Sequence, residues 1–230
     1  MRTRIKVCGI TRLDDALCAA GLGVDALGFV FWPGSPRCVP PGRAAAIARA
    51  LPPLVATVGV FVNQPLDEIR AIAAEVGLGA IQLHGDETPQ MMAELAGRQL
   101  VKAFRCGSDD VRPLAEFLRR CEDLGCRPCG VLIDAYQPSV FGGTGQIANW
   151  PLVRNLSELL LDIPIVLAGG LRPENVAAAI EATHPAAVDT ASGVESEPGR
   201  KDPQRVRAFI GNAWDAFRRL DLGEPLSGRP

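Results

Sequence analysis

The sequence predicts an α/β fold, a (β/α)8 TIM barrel with eight parallel strands, from three observations. Short β-branched runs alternate with Ala- and Leu-rich stretches of helical period along the chain, which is typical of repeated βα units. Eight such runs fit within the 230 residues, and eight βα units close a barrel. No linker, composition shift or charge block divides the chain. We therefore expect one barrel domain over residues 1–220 and a flexible C-terminal tail over 221–230.

The apolar runs set the expected strands, and helices fill the stretches between and after them. Prolines in Thr88-Pro89 and Arg172-Pro173 suit a first helical turn, and the Thr88 hydroxyl can cap its helix. The predicted strands are Arg4–Cys8, Ala26–Phe31, Val55–Val62, Ala80–His84, Leu100–Phe104, Gly130–Asp134, Pro164–Ala168 and Ala187–Ala191.

The main alternative fold is a flavodoxin-like or Rossmann sheet, which shares the alternation but needs only five or six strands. In those folds a glycine-rich phosphate-binding motif follows the first strand. Here the first strand leads into Cys8-Gly9-Ile10-Thr11, which contains neither such a motif nor a P-loop. The strand count and the missing motif favour the barrel.

Composition and charge point to a small-molecule partner. Hydrophobic residues make up 47% of the chain, and the formal net charge is −2 with scattered basic residues. We therefore expect no binding to nucleic acid and no association with a membrane. The first residues lack the pattern of a secretory signal, which predicts a cytoplasmic protein whose seven cysteines are free thiols.

Cys8 ends the first predicted strand, and barrel enzymes place catalytic groups at the carboxyl ends of their strands. A buried cysteine is also a common small hydrophobic residue, so position alone leaves both interpretations open. Strand alternation puts Lys6 on the same face as Cys8. An ammonium group nearby favours a thiolate, which would make Cys8 a competent base.

Asp134 ends the sixth predicted strand and follows the apolar residues 131–133. Its side chain is compatible with capping the next loop. A carboxyl group that emerges from an apolar strand is also suited to act as a general acid, because burial raises its pKa. Strands one and six lie nearly across a barrel, so Cys8 and Asp134 would reach opposite sides of one substrate.

Glycine-containing turns follow the seventh and eighth predicted strands, where barrels commonly bind phosphate through backbone N–H groups. A glycine pair after a single strand is usually only a tight turn, but two such turns on neighbouring strands favour a phosphate site. The segment 142–145 is a third glycine-rich stretch, plausible as a lid or a further phosphate contact. The candidate phosphate-binding residues are Gly143, Gly169, Gly170, Ser192 and Gly193.

Two further polar residues follow predicted strands. Arg37 lies on the rim after strand two, nearly opposite the phosphate end, where its guanidinium can bind a carboxylate; a solvated surface arginine is the commoner case. His84 is either a satisfied core histidine or a secondary contact to the substrate. Cys126 and Cys129 have the spacing of a metal or redox pair, but no further ligands follow them, so we expect no metal site.

Distinctive motifs follow most of the predicted strands and extend over roughly residues 4–215. They are Lys6-Val7-Cys8-Gly9-Ile10-Thr11, Gly28-Phe29-Val30-Phe31, Ser35-Pro36-Arg37, Gln82-Leu83-His84-Gly85-Asp86-Glu87, Asp134 with Gly142-Gly143-Thr144-Gly145, Leu167-Ala168-Gly169-Gly170-Leu171, and Val188-Asp189 with Ser192-Gly193-Val194-Glu195 and Lys201-Asp202. Together these motifs resemble the phosphoribosylanthranilate isomerase family of tryptophan biosynthesis.

The resemblance implies an Amadori rearrangement of N-(5-phosphoribosyl)anthranilate, with Cys8 as general base and Asp134 as general acid. It also implies that Arg37 binds the anthranilate carboxylate, that the late turns bind the phosphate, and that His84 and Asp189 are further substrate contacts. The substrate supplies its own electron sink, so no cofactor and no metal are expected. The protein is expected to be a monomer or a homodimer.

The chain departs from the family pattern at two places. Thr190-Ala191 stands where a hydrophobic residue and a serine are more usual, and Gln146 stands where a lysine is common. Two other functions compete: a histidine-pathway aldose-ketose isomerase, and a barrel that binds a sugar phosphate without catalysis. The first would be expected to carry an acidic residue after strand one, where this chain has Cys8, and an intact Cys8 and Asp134 argue against the second.

Overall fold

A computed structural model describes residues 4–106, 112–135, 150–160 and 162–223 of the chain. Within them, eight parallel strands form one closed barrel in the order in which they occur along the chain, and each strand is followed by a helix. The predicted α/β barrel of eight strands is therefore confirmed. The predicted tail falls mostly outside the described residues, because the last helix continues to Leu222 and residues 224–230 are not described.

The strands lie close to their predicted positions. Pairing of β1 with β8, from Arg4 opposite Ala187 to Val7 opposite Thr190, closes the barrel. The fifth strand is two residues longer than predicted, because it pairs with β6 as far as Cys106. The bounds are β1 (Arg4–Cys8), β2 (Ala26–Val30), β3 (Ala56–Phe61), β4 (Ala80–Leu83), β5 (Leu100–Cys106), β6 (Gly130–Ala135), β7 (Ile165–Leu167) and β8 (Ala187–Thr190).

Helices cover the outside of the barrel. Thr88 caps its helix as predicted, since its hydroxyl accepts a hydrogen bond from the N–H of Met91 at 3.3 Å. The start predicted at Pro173 is wrong: the Asn175 side chain holds a turn there by accepting from the Arg172 N–H. The bounds are α1 (Leu13–Gly21), α2 (Pro41–Arg49), α3 (Leu66–Val76), α4 (Pro89–Glu94), α5 (Arg112–Asp123), α6 (Trp150–Leu159), α7 (Val176–Thr183) and α8 (Pro203–Leu222).

Strand alternation sorts the side chains into two layers. In β1, Ile5 and Val7 point outward into the large core between strands and helices, where both are fully buried. Cys8 belongs instead to a small inner cluster with Val30 and Val60. The same alternation in β6 turns Asp134 to the inside, so the two expected catalytic groups share the interior at one end of the barrel.

A short hairpin follows β8 that the sequence did not lead us to expect. After a 3-10 helix at Ser192–Val194, the strands β9 (Glu195–Glu197) and β10 (Arg200–Lys201) pair antiparallel, with Lys201 opposite Glu195. Asp202 then caps α8, since its carboxylate accepts from the N–H groups of the first helical turn. The hairpin lies between the turn after β8 and the last helix.

Candidate active site

A cavity of about 420 Å³ opens at the carboxyl ends of the strands. Its volume lies in the range usual for small-molecule sites. The predicted site residues that line it are Cys8, Arg37, His84, Asp134, Gly169, Gly170, Asp189 and Ser192. Gly193 is not among its lining residues, and Gly143 lies outside the residues that the structure describes. The cavity therefore brings together most of the side chains proposed from the sequence.

Lys6 forms a buried ion pair with Asp189, which lines the cavity. The Lys6 Nζ atom lies 2.7 Å from Asp189 Oδ2, and both side chains are less than a tenth exposed. Burial opposes the charge on Lys6, but attraction to the Asp189 carboxylate and to Cys8 outweighs it and raises the pKa of Lys6. Lys6 is therefore a fixed cation beside the thiol.

Cys8 lies inside the barrel at this ion pair. Burial raises the pKa of the Cys8 thiol, although Lys6 and, more weakly, Lys201 act to lower it. The expectation that Lys6 makes Cys8 ionise is thus only half right, because burial outweighs the favourable charge. Gly28 of β2 leaves room for this arrangement: a Cβ atom there would lie 2.6 Å from the Cys8 sulfur and 3.1 Å from Lys6 Nζ.

Two side chains at the end of β4 form a hydrogen-bonded series that leads to Asp134. His84 Nε2 lies 3.1 Å from Asp134 Oδ2, and Gln82 Nε2 lies 2.9 Å from His84 Nδ1. If the Gln82 amide donates to Nδ1, the His84 proton is on Nε2 and is donated to Asp134, an assignment made from the hydrogen-bond network. Gln82 was missed from the sequence, although strand alternation places it on the same face as His84.

A second buried ion pair supports the turn that carries His84. Lys102 Nζ donates to the carbonyl oxygens of Leu83 at 3.3 Å and Gly85 at 2.7 Å, and lies 3.1 Å from Glu87 Oε2. Glu87 in turn accepts a hydrogen bond from the Gly85 N–H at 2.9 Å. These bonds hold the backbone of Leu83 and Gly85, the residues on either side of His84, and so fix the position of His84 in the turn.

The turns after β7 and β8 pack directly against each other. Thr190 Oγ1 donates to the Leu171 carbonyl at 2.7 Å, so this hydroxyl joins the two turns. A Cβ atom at Gly193 would overlap the same carbonyl oxygen, which explains a glycine at that position. Gly169 and Gly170 have φ angles of 87° and 67°, which L side chains rarely adopt. Two adjacent turns of this kind can present backbone N–H groups to a phosphate.

Arg37 lines the cavity and is bound from behind by Glu195. Its Nε and Nη2 atoms donate to the Glu195 carboxylate at 2.9 and 2.7 Å. Glu195 follows Ser192 by three residues, so Arg37 is bound to the segment after the proposed phosphate turn, and its placement nearly opposite the phosphate end stays a prediction. Contacts between residues so far apart in the chain leave no local pattern, and Glu195 was missed for that reason.

Cys18, Cys38, Cys121, Cys126 and Cys129 are free thiols. The Cys126 sulfur lies 3.3 Å from the Pro89 carbonyl oxygen, and the Cys129 sulfur lies 3.1 Å from that of Leu100. In the part of the chain that the structure describes, no three His, Cys, Asp or Glu side chains are grouped to hold a metal ion. None of the described helices has the length and apolar character needed to cross a bilayer.

Comparison with known proteins gives a consistent result. A family model described as N-(5'phosphoribosyl)anthranilate (PRA) isomerase matches residues 5–212. Relatives named N-(5'-phosphoribosyl)anthranilate isomerase include that of Azotobacter vinelandii, 49% identical over 90% of this chain and 95% of its own length. That of Geobacter metallireducens is 46% identical over 91% of this chain and 98% of its own length.

Solved structures agree with the sequence comparison. Phosphoribosyl anthranilate isomerase from Thermotoga maritima is 38% identical, with a TM-score of 0.80 over 92% of this chain and 98% of its own. A phosphoribosyl anthranilate isomerase in complex with reduced 1-(o-carboxyphenylamino)-1-deoxyribulose 5-phosphate is also 38% identical, with a TM-score of 0.78 over the same shares of the two chains.

Proposed function

The chain belongs to the N-(5'-phosphoribosyl)anthranilate isomerase family, and from this premise we propose that Cys8 and Asp134 are the base and the acid of its reaction. The enzyme is an aldose-ketose isomerase of tryptophan biosynthesis, which converts N-(5'-phosphoribosyl)anthranilate to 1-(2-carboxyphenylamino)-1-deoxyribulose 5-phosphate. The observation that carries the proposal is that both side chains, from opposite parts of the strand order, line one cavity.

In the first step, Asp134 gives its proton to the ring oxygen of the ribose. The bond between C1 and that oxygen breaks, and the lone pair of the anthranilate nitrogen forms an iminium group with C1. The iminium acidifies the C2 proton. His84 lies within hydrogen-bond distance of the Asp134 carboxylate, so it stabilises the anion that this step leaves behind.

In the second step, the Cys8 thiolate removes the C2 proton and the electrons of the C–H bond neutralise the iminium. The resulting enolamine loses the proton of its C2 hydroxyl and gains one at C1, which gives the ketone. Cys8 ends the step as a thiol, the form that its burial favours. One proton has passed to the ring oxygen and one has left C2, so the protein must return a proton from Cys8 to Asp134 between turnovers.

The proposed orientation of the substrate depends on which residues bind its carboxylate and which bind its phosphate. Arg37 is proposed to bind the anthranilate carboxylate, since its guanidinium faces the cavity. The phosphate is proposed to lie against the adjacent turns at Gly169, Gly170, Ser192 and Gly193, with Gly143 as a further contact from outside the described residues. His84 and Asp189 complete the proposed substrate contacts from the strands between these ends.

The test follows the loss of phosphoribosylanthranilate fluorescence with purified protein and the variants Cys8→Ala and Asp134→Asn. Each is expected to lower kcat by about 10²–10⁴-fold, the usual contribution of general acid–base catalysis. Cys18→Ala and Asp162→Asn are matched controls, because Cys18 lies on α1 and Asp162 on the surface. Turnover that stays unchanged in both site variants would refute the assignment.

Other properties remain proposals. We propose that the enzyme works in the cytoplasm without a cofactor, as a single barrel domain over residues 1–220. A monomer or a homodimer is compatible with the family, in which the Thermotoga maritima enzyme is named as dimeric. Light scattering of the purified protein measures its molar mass and so distinguishes the monomer from the homodimer.

A further inference from the structure

Three charged side chains form a buried cluster behind the cavity. Arg37, Glu195 and Lys201 have side chains that are 11%, 4% and 1% exposed. Glu195 Oε1 accepts from Lys201 Nζ at 2.8 Å and from Arg37 Nε at 2.9 Å, while its Oε2 accepts from Arg37 Nη2 at 2.7 Å. Only Arg37 of these three lines the described cavity.

We propose that Glu195 and Lys201 are positioning residues for substrate recognition: Glu195 fixes the orientation of the Arg37 guanidinium, and Lys201 keeps the cluster positively charged for the substrate carboxylate. The inference rests on the proposed role of Arg37 as the group that binds that carboxylate. Neither Glu195 nor Lys201 touches the substrate in this account, and both act through Arg37.

The hydrogen bonds to Glu195 determine which edge of Arg37 is available. A guanidinium has five N–H donors in a fixed plane. Glu195 binds the edge formed by Nε and one hydrogen of Nη2. The adjacent edge, with one Nη1 hydrogen and the second Nη2 hydrogen, is left for a ligand, and its two parallel donors match a carboxylate. The bidentate bond to Glu195 thus holds the guanidinium in one orientation before the substrate binds.

The charge of the cluster explains the presence of Lys201. An arginine paired with a glutamate alone is neutral overall and would attract a carboxylate weakly. Burial disfavours the Glu195 carboxylate, but its bonds to Arg37 and Lys201 lower its pKa, so it is an anion. Burial also lowers the pKa of Lys201, and Glu195 counteracts this by stabilising the ammonium. Two cations and one anion leave one net positive charge, which matches one carboxylate.

Lys201 also links the cluster to the turn after β8. Its Nζ atom donates to the Ala191 carbonyl at 3.0 Å, directly before Ser192. The backbone N–H of Lys201 donates to Asp15 Oδ2 at 2.9 Å, which ties the β9–β10 hairpin to α1. These bonds set the position of the carboxylate-binding edge of Arg37 relative to the proposed phosphate turn. They therefore fix the distance between the two protein groups that bind the ends of the substrate.

The test compares two ligands by calorimetry: reduced 1-(o-carboxyphenylamino)-1-deoxyribulose 5-phosphate and the same compound without the carboxyl group. The measured quantity is the ratio of their affinities. Lys201→Met makes the cluster neutral and is expected to lower this ratio about tenfold. Lys201→Met combined with Glu195→Gln restores one net positive charge. Its affinity ratio is expected to be at least about threefold higher than that of Lys201→Met alone.

Glu195→Asp tests the orientation separately, because it keeps the charge but shortens the side chain by one carbon. It is expected to lower the ratio about threefold or more. Arg200→Met is the matched control, since it removes a cation from the same hairpin, where Arg200 pairs with Glu197 outside the buried cluster, and it should leave the ratio unchanged. Equal weakening of both ligands in the Lys201 and Glu195 variants would show a merely structural role and overturn the inference.

Arg37→Met separates this inference from the proposed function. A ratio that does not fall in Arg37→Met refutes the role of Arg37 itself. A ratio that falls in Arg37→Met but not in Lys201→Met or Glu195→Asp refutes the positioning role alone. Thermal melts identify variants that fold, and if Lys201→Met does not, Glu195→Asp and the double variant decide the outcome.

Discussion

Lys6 is the residue whose charge bears most directly on Cys8. Its ammonium acts to lower the pKa of the thiol, whereas the Asp189 carboxylate acts to raise it, and burial exceeds both effects. The thiol therefore has a raised pKa, and the thiolate is a minor form below it. Below that pKa, the thiolate fraction rises about tenfold for each pH unit. The rate of C2 deprotonation should follow this fraction.

Replacing Lys6 and Asp189 should shift the pH–rate profile in opposite directions. Lys6→Met removes the cation, so the pKa of Cys8 rises further. The pH limit that Cys8 sets on kcat/KM, below which the rate falls with the thiolate fraction, is expected to move to higher pH. Activity at pH 7.5 should fall about tenfold for each unit of that shift. Asp189→Asn removes the nearby anion and is expected to move the same limit to lower pH. Fluorescence assays between pH 6 and 10 measure both.

Shifts in the same direction in the two variants would mean that the limit does not belong to Cys8. Cys8→Ala serves as the reference, since its residual activity should lack this limit altogether. The comparison thus tests the base by its response to charge as well as by its removal.

Residues at strand ends were predictable from the sequence, and their supporting partners were not. Cys8, His84 and Asp134 each follow an apolar run, so a barrel places them in one cavity. Glu195 is 158 residues from Arg37 along the chain, and no periodicity relates the two positions. Which acidic residue meets which arginine depends on the packed loops, and only the structure provides that.

At the scale of elements, the turns after β7 and β8 act as one unit because Thr190 and Gly193 both pack on the Leu171 carbonyl. The sequence predicted two neighbouring turns from their glycines and strand order, but not the contacts that join them. The β9–β10 hairpin escaped prediction because strands of three and two residues are too short to show an alternating pattern. The barrel strands were predictable because their apolar runs are long enough to show a pattern.

Gly193→Ala is expected to push these two turns apart. The added Cβ atom would overlap the Leu171 carbonyl oxygen, so the backbone at one turn must shift. A displaced phosphate site should raise KM for phosphoribosylanthranilate by about tenfold to a hundredfold, because a shift of about 1 Å has effects of that size. Steady-state kinetics measure this change.

Gly21→Ala is the matched control for that substitution. Gly21 ends α1, and no heavy atom lies within 4 Å of its added Cβ. Its KM should equal that of the parent enzyme. An unchanged KM in Gly193→Ala as well would mean that the turn after β8 does not hold the phosphate.

In the whole molecule, the residues that stabilise the fold and those that line the cavity lie in different layers of the barrel. Outward-facing residues such as Ile5 and Val7 pack under the helices, whereas the inward-facing Cys8 lines the cavity. This separation follows from strand alternation, from which the sequence predicted only that Lys6 and Cys8 share a face. The helical ring closes where α8 packs against α1 and α7. Among the residues that line the described cavity, none comes from α8.

Two substitutions in α8, two residues apart, should therefore change stability in opposite directions without changing KM. Phe209 is fully buried, and Phe209→Ala is expected to lower the free energy of unfolding by about 3–5 kcal/mol. Gly211 lies on the exposed face with open space around it, and Gly211→Ala should raise that free energy by up to about 1 kcal/mol, since alanine favours a helix. Urea unfolding measures both changes. A KM that moved with stability in either variant would mean that the outer ring and the site are coupled, and that the two layers are not independent.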